Sequence, residues 1–104
     1  MTRRPAYEAR VVARLALQHH VRVTMRTTAW LANHDYGVSE TVTAILTSLP
    51  ERGRWIGSAK LLNGAIADEN IVHHDAADWC LRFWVDGEKP AVEVWSCCWD
   101  GAVH

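Results

Sequence analysis

The chain lacks the short signatures by which many enzymes declare their chemistry. It has no glycine-rich phosphate loop, no H-E-x-x-H helix, no Cys-x-x-Cys pair and no G-x-S-x-G elbow. Those gaps argue against a nucleotide-driven or classical metal enzyme. No apolar run approaches the ~20 residues that a membrane span requires, so no membrane association is expected. The N-terminal MTRRPAYEAR has arginines but no apolar segment behind them long enough for a signal peptide. A cytoplasmic location is the expectation.

Cysteine is scarce as well: Cys80, Cys97 and Cys98 make an odd count. Neighbouring Cys97 and Cys98 point to opposite faces of a strand, which keeps them from serving one site together. They read as reduced thiols behaving as small hydrophobes. A zinc site joining them to His73 or His74 would lack standard ligand spacing, so neither metal nor cofactor is expected.

What is present suits one globular domain covering residues 1–104. The apolar fraction is 49% and the charged fraction 22%, both ordinary for a folded protein. A chain of this length buries roughly two thirds of its unfolded surface, enough for a core without staples. The net charge of −1 hides an uneven split. Residues 1–61 hold nine Lys/Arg against four Asp/Glu, and residues 62–104 hold two against eight. Such asymmetry marks either a nucleic-acid or acidic-partner face, or two solvated faces that simply differ.

Periodicity predicts an α+β fold, with helices in the N-terminal half packed on an antiparallel sheet formed by the C-terminal half. A first helix is expected over Pro5–His19, where Tyr7, Val11 and Leu15 recur and Pro5 suits the first turn. Val21–Met25 reads as a short strand or extended entry. Thr24, Thr27 or Thr28 caps a second helix through Ala32, with Gly37 its left-handed stop. A third helix starts at Ser39, buries Val42, Ile45, Leu46 and Leu49, and ends at Pro50. Residues 51–76 carry weaker signals: Trp55-Ile56 and Ile71-Val72 as strand fragments, Asn63-Gly64 as a turn. Beyond them a hairpin is clear. Trp79, Leu81, Phe83 and Val85 face one way, and Cys80, Arg82 and Trp84 the other. After the Asp86–Pro90 loop, strict alternation puts Val92, Val94, Ser96 and Cys98 on one face, and Glu93, Trp95, Cys97 and Trp99 on the other.

The mixed face of that hairpin is the candidate surface. Tryptophans with an arginine among them can stack bases and hold a phosphate together. The competing reading pairs Arg82 with Glu93 and packs Trp84, Trp95 and Trp99 under a helix or in a homo-oligomer contact. One of His73 and His74 can offer proton transfer near neutral pH; a surface pair is the plainer reading. His19-His20 suits a helix C-terminus. Arg52, Arg54 and Lys60 around Trp55 make either an RNA-backbone contact or a solvated loop.

The order of parts adds a resemblance. After a first helix come Val21-Arg22-Val23-Thr24, a short helix closing on Tyr36-Gly37-Val38, and the helix Thr41–Leu49. A basic stretch follows, then Cys80-Leu81-Arg82-Phe83 and the strand Ala91–Ser96. This arrangement resembles the MqsR family of toxins, messenger-RNA interferases within the RelE-like ribonuclease fold. The chain departs from that pattern in four respects. The family's lysine–serine stretch is not reproduced across Arg54–Lys60, and its tyrosine and lysine on the penultimate strand fall near Trp79 or Cys80 and at Arg82. Its C-terminal lysine is lost in Ser96-Cys97-Cys98-Trp99, and the chain is not strongly basic. The resemblance implies a metal-independent endoribonuclease neutralised by a cognate antitoxin protein. In it Arg82 would stabilise the phosphate and His73 or His74 would move the proton. Arg54 and Lys60 would position RNA, with Trp55 or Trp84 stacking a base. The alternative is a non-catalytic interaction module, such as a phage-encoded inhibitor or an immunity-type protein, favoured by the near-neutral charge and six tryptophans. A small-ligand pocket on the tryptophan face is a third reading.

Overall fold

Hydrophobic alternation in the C-terminal half builds a sheet, and the helices cover the side of it that carries Trp79, Leu81 and Phe83. The computed structural model describes residues 4–99. In chain order the elements are α1 (Ala9–Leu17), β1 (Val21–Val23), α2 (Met25–Asn33), α3 (Val38–Arg52), β2 (Gly53–Lys60), β3 (Ile66–His74), β4 (Ala77–Asp86) and β5 (Ala91–Trp99). The strand order is β1-β5-β4-β3-β2. The α+β expectation holds, with one addition: β1, from the N-terminal half, joins β5 in parallel, so the sheet is mixed at that edge. No helix among the described residues is long and apolar enough to cross a membrane.

The core lies between the helices and one sheet face. Val12, Leu15 and Ala16 of α1, Leu31 of α2, and Val42, Ile45, Leu46 and Leu49 of α3 pack on Val72, Trp79, Leu81, Phe83, Val92 and Val94. The four α3 positions are those its periodicity selects. Trp79 is the largest of the fully buried side chains, 1% exposed, with its rings against Trp30 and Tyr36.

Several boundaries differ from the sequence expectation, each for a physical reason. Helix α1 begins at Ala9 rather than Pro5 because the preceding backbone is engaged elsewhere. The N–H groups of Ala6 and Tyr7 each donate to the Asp68 carboxylate at 2.9 Å. That carboxylate is fully buried and also accepts from the Ser58 hydroxyl. The left-handed stop of α2 is Asp35 (φ 63°), not Gly37, which is extended and caps α3. Backbone bonds from Asp35 to Ala32 and from Tyr36 to Leu31 close α2 in a Schellman-type motif. Proline does not end α3: Pro50 sits in its last turn and the helix runs on to Arg52.

The stretch 51–76 is mostly strand. Its Trp55-Ile56 and Ile71-Val72 fragments lie in β2 and β3, and Asn63-Gly64 is the turn between them. The β3–β4 connection is only two residues long, since His74 pairs with Ala77. Both linking residues are left-handed, Asp75 at φ 50° and Ala76 at φ 61°. Alanine adopts that conformation at a cost of roughly 1–2 kcal/mol that glycine avoids. Ala76→Gly is therefore expected to raise unfolding stability by about 1 kcal/mol; a lowered urea midpoint would contradict it.

Strand β5 holds the main correction. Arg82 pairs with Ser96 but Phe83 pairs with Val94, so Trp95 is an extra residue in a β-bulge. Past the bulge the faces exchange. Cys97 and Trp99 turn to the helix side, where Cys97 is buried and Trp99 packs edge-on against Trp30. Trp99 thus leaves the mixed face to which strict alternation assigned it.

Candidate nucleic-acid interface

The outer sheet face carries the polar constellation. Register places Glu69, Arg82 and Ser96 in one row across β3, β4 and β5, and Trp84, Glu93 and Arg22 in another across β4, β5 and β1. Arg82 does not pair with Glu93. Its Nη2 donates to Glu69 Oε2 at 2.9 Å, while its Nε is buried without a hydrogen-bond partner. Glu93 instead accepts from both the Trp84 and Trp95 indoles, at 2.8 and 2.7 Å, and from Arg22 Nε at 3.2 Å. Arg22 also reaches Asp86 at 3.2 Å.

These contacts set the charge states. Burial alone would raise the Glu93 carboxyl, but hydrogen bonds from Trp84, Trp95 and Arg22, with the guanidinium charge, outweigh it and hold Glu93 below the ordinary value. The Glu93 hydrogen bond raises Arg22 in turn. A depressed carboxyl contributes stability above its ordinary value of 4.5, and that contribution is lost as pH falls through the lower folded value. Glu93→Gln should therefore flatten the acid limb of the stability–pH curve below pH 4.5. An unchanged slope would show that the network adds nothing there.

Two local devices bring further cations to this face. Thr24 caps α2 by accepting from Thr27 N, and its own N–H bonds Val94 O at 3.1 Å, tying the start of α2 to β5. Arg26 follows in the first turn of α2. On the other side the β2–β3 turn closes through Leu61 N to Ala65 O and Gly64 N to Leu61 O, with Gly64 left-handed at φ 87°. That turn presents Lys60 and Leu62. Together Thr24, Arg26, Lys60, Leu62, Arg82 and Trp95 line one cleft of about 340 Å³. Arg26 and Lys60 are exposed and have no carboxylate partner among the described residues. Leu62 is 99% exposed, and Met25, beside Arg26, is 89% exposed.

Of the residues singled out in the sequence, Arg82 and Lys60 meet in this cleft, and Trp84 stands two residues from Arg82 on the same face. The others lie apart. His73 is also on the outer face but pairs with Asp78 at 2.9 Å. It sits four residues along β3 from Glu69, roughly 13 Å of strand. His74 belongs to the opposite face, and its carbonyl accepts from the Trp79 indole. Arg54 is an exposed position of the edge strand β2, opposite Ile71. Trp55 pairs with Asn70 on the helix side, its indole nitrogen buried without a partner. Arg26 is the site residue that sequence reasoning missed, whereas Trp95 was placed on the mixed face without a role of its own. The only hint for Arg26 was its position two residues after a capping threonine.

Among the described residues no group of three or more His, Cys, Asp or Glu is arranged to hold a metal ion. Fold and site together define a small α+β domain with a cationic, aromatic-walled cleft on its open sheet face. No protein-family model, curated protein or solved structure matches the chain. The chemistry of the cleft is that of an anion site with an apolar rim: three guanidinium or ammonium groups for phosphate, and Trp95 and Leu62 for a flat apolar ring.

Proposed function

We propose that this chain is a toxin-like endoribonuclease that cleaves single-stranded RNA without a metal and is neutralised by a cognate antitoxin protein. The observation that carries the reading is the convergence of Arg26, Lys60 and Arg82, distant in sequence, on one cleft beside Trp95. Arg82 stabilises the charge that develops on the reacting phosphate, while Lys60 and Arg26 hold neighbouring phosphates. The ribose 2′-OH attacks phosphorus, its proton passes to a base, and the 5′-oxygen leaves with a proton. The products are a 2′,3′-cyclic phosphate and a 5′-hydroxyl. Glu69, 2.9 Å from Arg82, is better situated as that base than His73 or His74.

Incubation of the purified protein with a long single-stranded RNA in EDTA tests the reading. Cyclic-phosphate ends are expected, lost in Glu69→Gln and kept in His73→Ala. No cleavage, with or without ribosomes, would overturn it. Binding of RNA should fall with salt at a log–log slope of about −2, since three phosphates contribute ~0.7 each on a single strand. Lys60→Ala should reduce that slope by one such increment. A salt-independent affinity would remove the phosphate contact from the account.

One observation favours a second reading, a non-catalytic interaction module: Leu62 and Met25 present nearly fully exposed apolar side chains at or beside the cleft. Under that reading the protein is inert towards RNA and co-purifies with a larger partner, and Leu62→Asp abolishes the complex.

A further inference from the structure

The strand register sets two of the three thiols face to face. Cys80 of β4 and Cys98 of β5 are direct cross-strand partners. Both are half-buried and share the outer face with Arg82. The bulge at Trp95 creates this pairing, because without the extra residue Cys97 would occupy the outward position. Directly opposed residues of antiparallel strands have Cα atoms about 4.5 or 5.5 Å apart, depending on the type of pair. Both separations fall inside the roughly 4.4–6.8 Å range that a disulfide spans. Opposed Cβ atoms start only slightly beyond the bridged distance, so closure asks for a small shift of two adjacent strands.

We infer that Cys80 and Cys98 form a reversible cross-strand disulfide, making this pair a thiol-oxidation site on the outer face of the sheet. The oxidant is a small-molecule disulfide such as oxidised glutathione. One cysteine thiolate attacks a sulfur of that reagent, forming a mixed disulfide and expelling one glutathione thiolate. The second cysteine thiolate then displaces the other glutathione and closes the bridge. Two cysteine thiols are oxidised, the reagent disulfide is reduced to two thiols, and the protons balance.

Cys97 stands outside this chemistry. It points to the helix side, is buried, and its thiol is pushed up to about 12, chiefly by burial. Thiolate, not thiol, is the attacking species, so Cys97 serves as the internal control. The bridge would fasten the end of β5 to β4 beyond the bulge, next to the recess that Cys80, Arg82 and Ser96 share. The inference concerns the thiols alone and stands whatever the cleft binds.

The test equilibrates the full chain with oxidised and reduced glutathione at several ratios, traps remaining thiols with an alkylating agent, and measures intact mass. The expected species has lost two hydrogens and takes one alkyl group, the latter only after unfolding. Trypsin, cutting after Lys60 and Arg82 but not at Lys89-Pro90, leaves Cys80 on peptide 61–82 and Cys97 with Cys98 on peptide 83–104. The two peptides should migrate as one until reduced. Cys97→Ser should keep the cross-link and Cys98→Ser should lose it. A cross-link that persists in Cys98→Ser would overturn the assignment, as would stable glutathione adducts without closure, or thiols unchanged under fully oxidising conditions. In the wild type, fragmentation between Cys97 and Cys98 of the cross-linked peptide should place the alkyl group on Cys97, so an unfolded variant does not obscure the result.

Discussion

Trp79→Ala is expected to be the most destabilising single substitution in this fold, costing about 3–5 kcal/mol of unfolding free energy. The indole is 1% exposed and sits between α2 and the sheet. It contacts Trp30 of α2 and Tyr36 of the α2–α3 connection, and its register partners are Val72 and Trp99. Removing it opens a cavity between α2 and the sheet and also frees the His74 carbonyl from its indole partner. Domains of this size have total stabilities of only about 5–15 kcal/mol, so the variant should be largely unfolded at modest urea. Trp79→Phe keeps most of the volume and should cost markedly less. Trp84→Ala, on the open face, removes a half-buried indole and one of the hydrogen bonds to Glu93, and should cost clearly less than Trp79→Ala. A Trp79→Ala midpoint within error of wild type would show that the helix layer does not depend on this ring.

Under the proposed ribonuclease reading, Arg82→Ala is expected to lower RNA cleavage by about 10²–10³-fold, the usual consequence of removing one donor from a developing oxyanion. Three features of Arg82 support that size of effect. It is fixed by Glu69, it lies in the middle of the sheet rather than at an edge, and it borders both the large cleft and the smaller recess beside it. Arg82→Lys retains charge but loses the planar fork, so partial recovery is expected. Arg54→Ala, on edge strand β2, should change the rate by less than about threefold if the same cleft is the site, since exposed charges away from the reacting group contribute little. Equal rates for wild type and Arg82→Ala would trace the cleavage to a contaminant or to another surface. The comparison is meaningful only if the folded fraction is equal, which the near-ultraviolet signal of the buried tryptophans reports.

The sheet's centre was legible in the sequence because its alternation is strong. Trp79, Leu81, Phe83 and Val85 oppose Cys80, Arg82 and Trp84 as the residues alone suggest, and α3 buries the four positions of its apolar stripe. Strand β2 was not legible as a unit. Gly57, Ser58 and Ala59 offer no amphipathic contrast, and Ile56 is the extra residue of a bulge. The true start of α1 was hidden for a different reason. The group that holds residues 6 and 7 out of the helix is Asp68, some sixty positions away, and no local pattern encodes a contact of that range. The site was legible by residue type rather than by geometry. Arg82 and Lys60 are of the right chemistry and do meet, whereas Trp55 and His74 have the right chemistry and face the helix side. The bulge at Trp95 decided the rest, since it removed Trp99 from the open face and left Trp95 there alone with Trp84.

The placement of β5 has a bearing on how the protein is made. This strand lies between β1 and β4, so residues 21–23 near the start of the chain wait for residues 92–94 before they can pair. A ribosome delivers α1, β1, α2 and α3 first, and their apolar faces then lack the sheet that later covers them. Pairings of such long sequence separation form slowly compared with local ones. The nascent chain therefore spends most of its synthesis with Val12, Leu31, Ile45 and Leu46 uncovered. A chain cut short before residue 92 is therefore expected to aggregate, since that apolar surface would have no sheet to cover it.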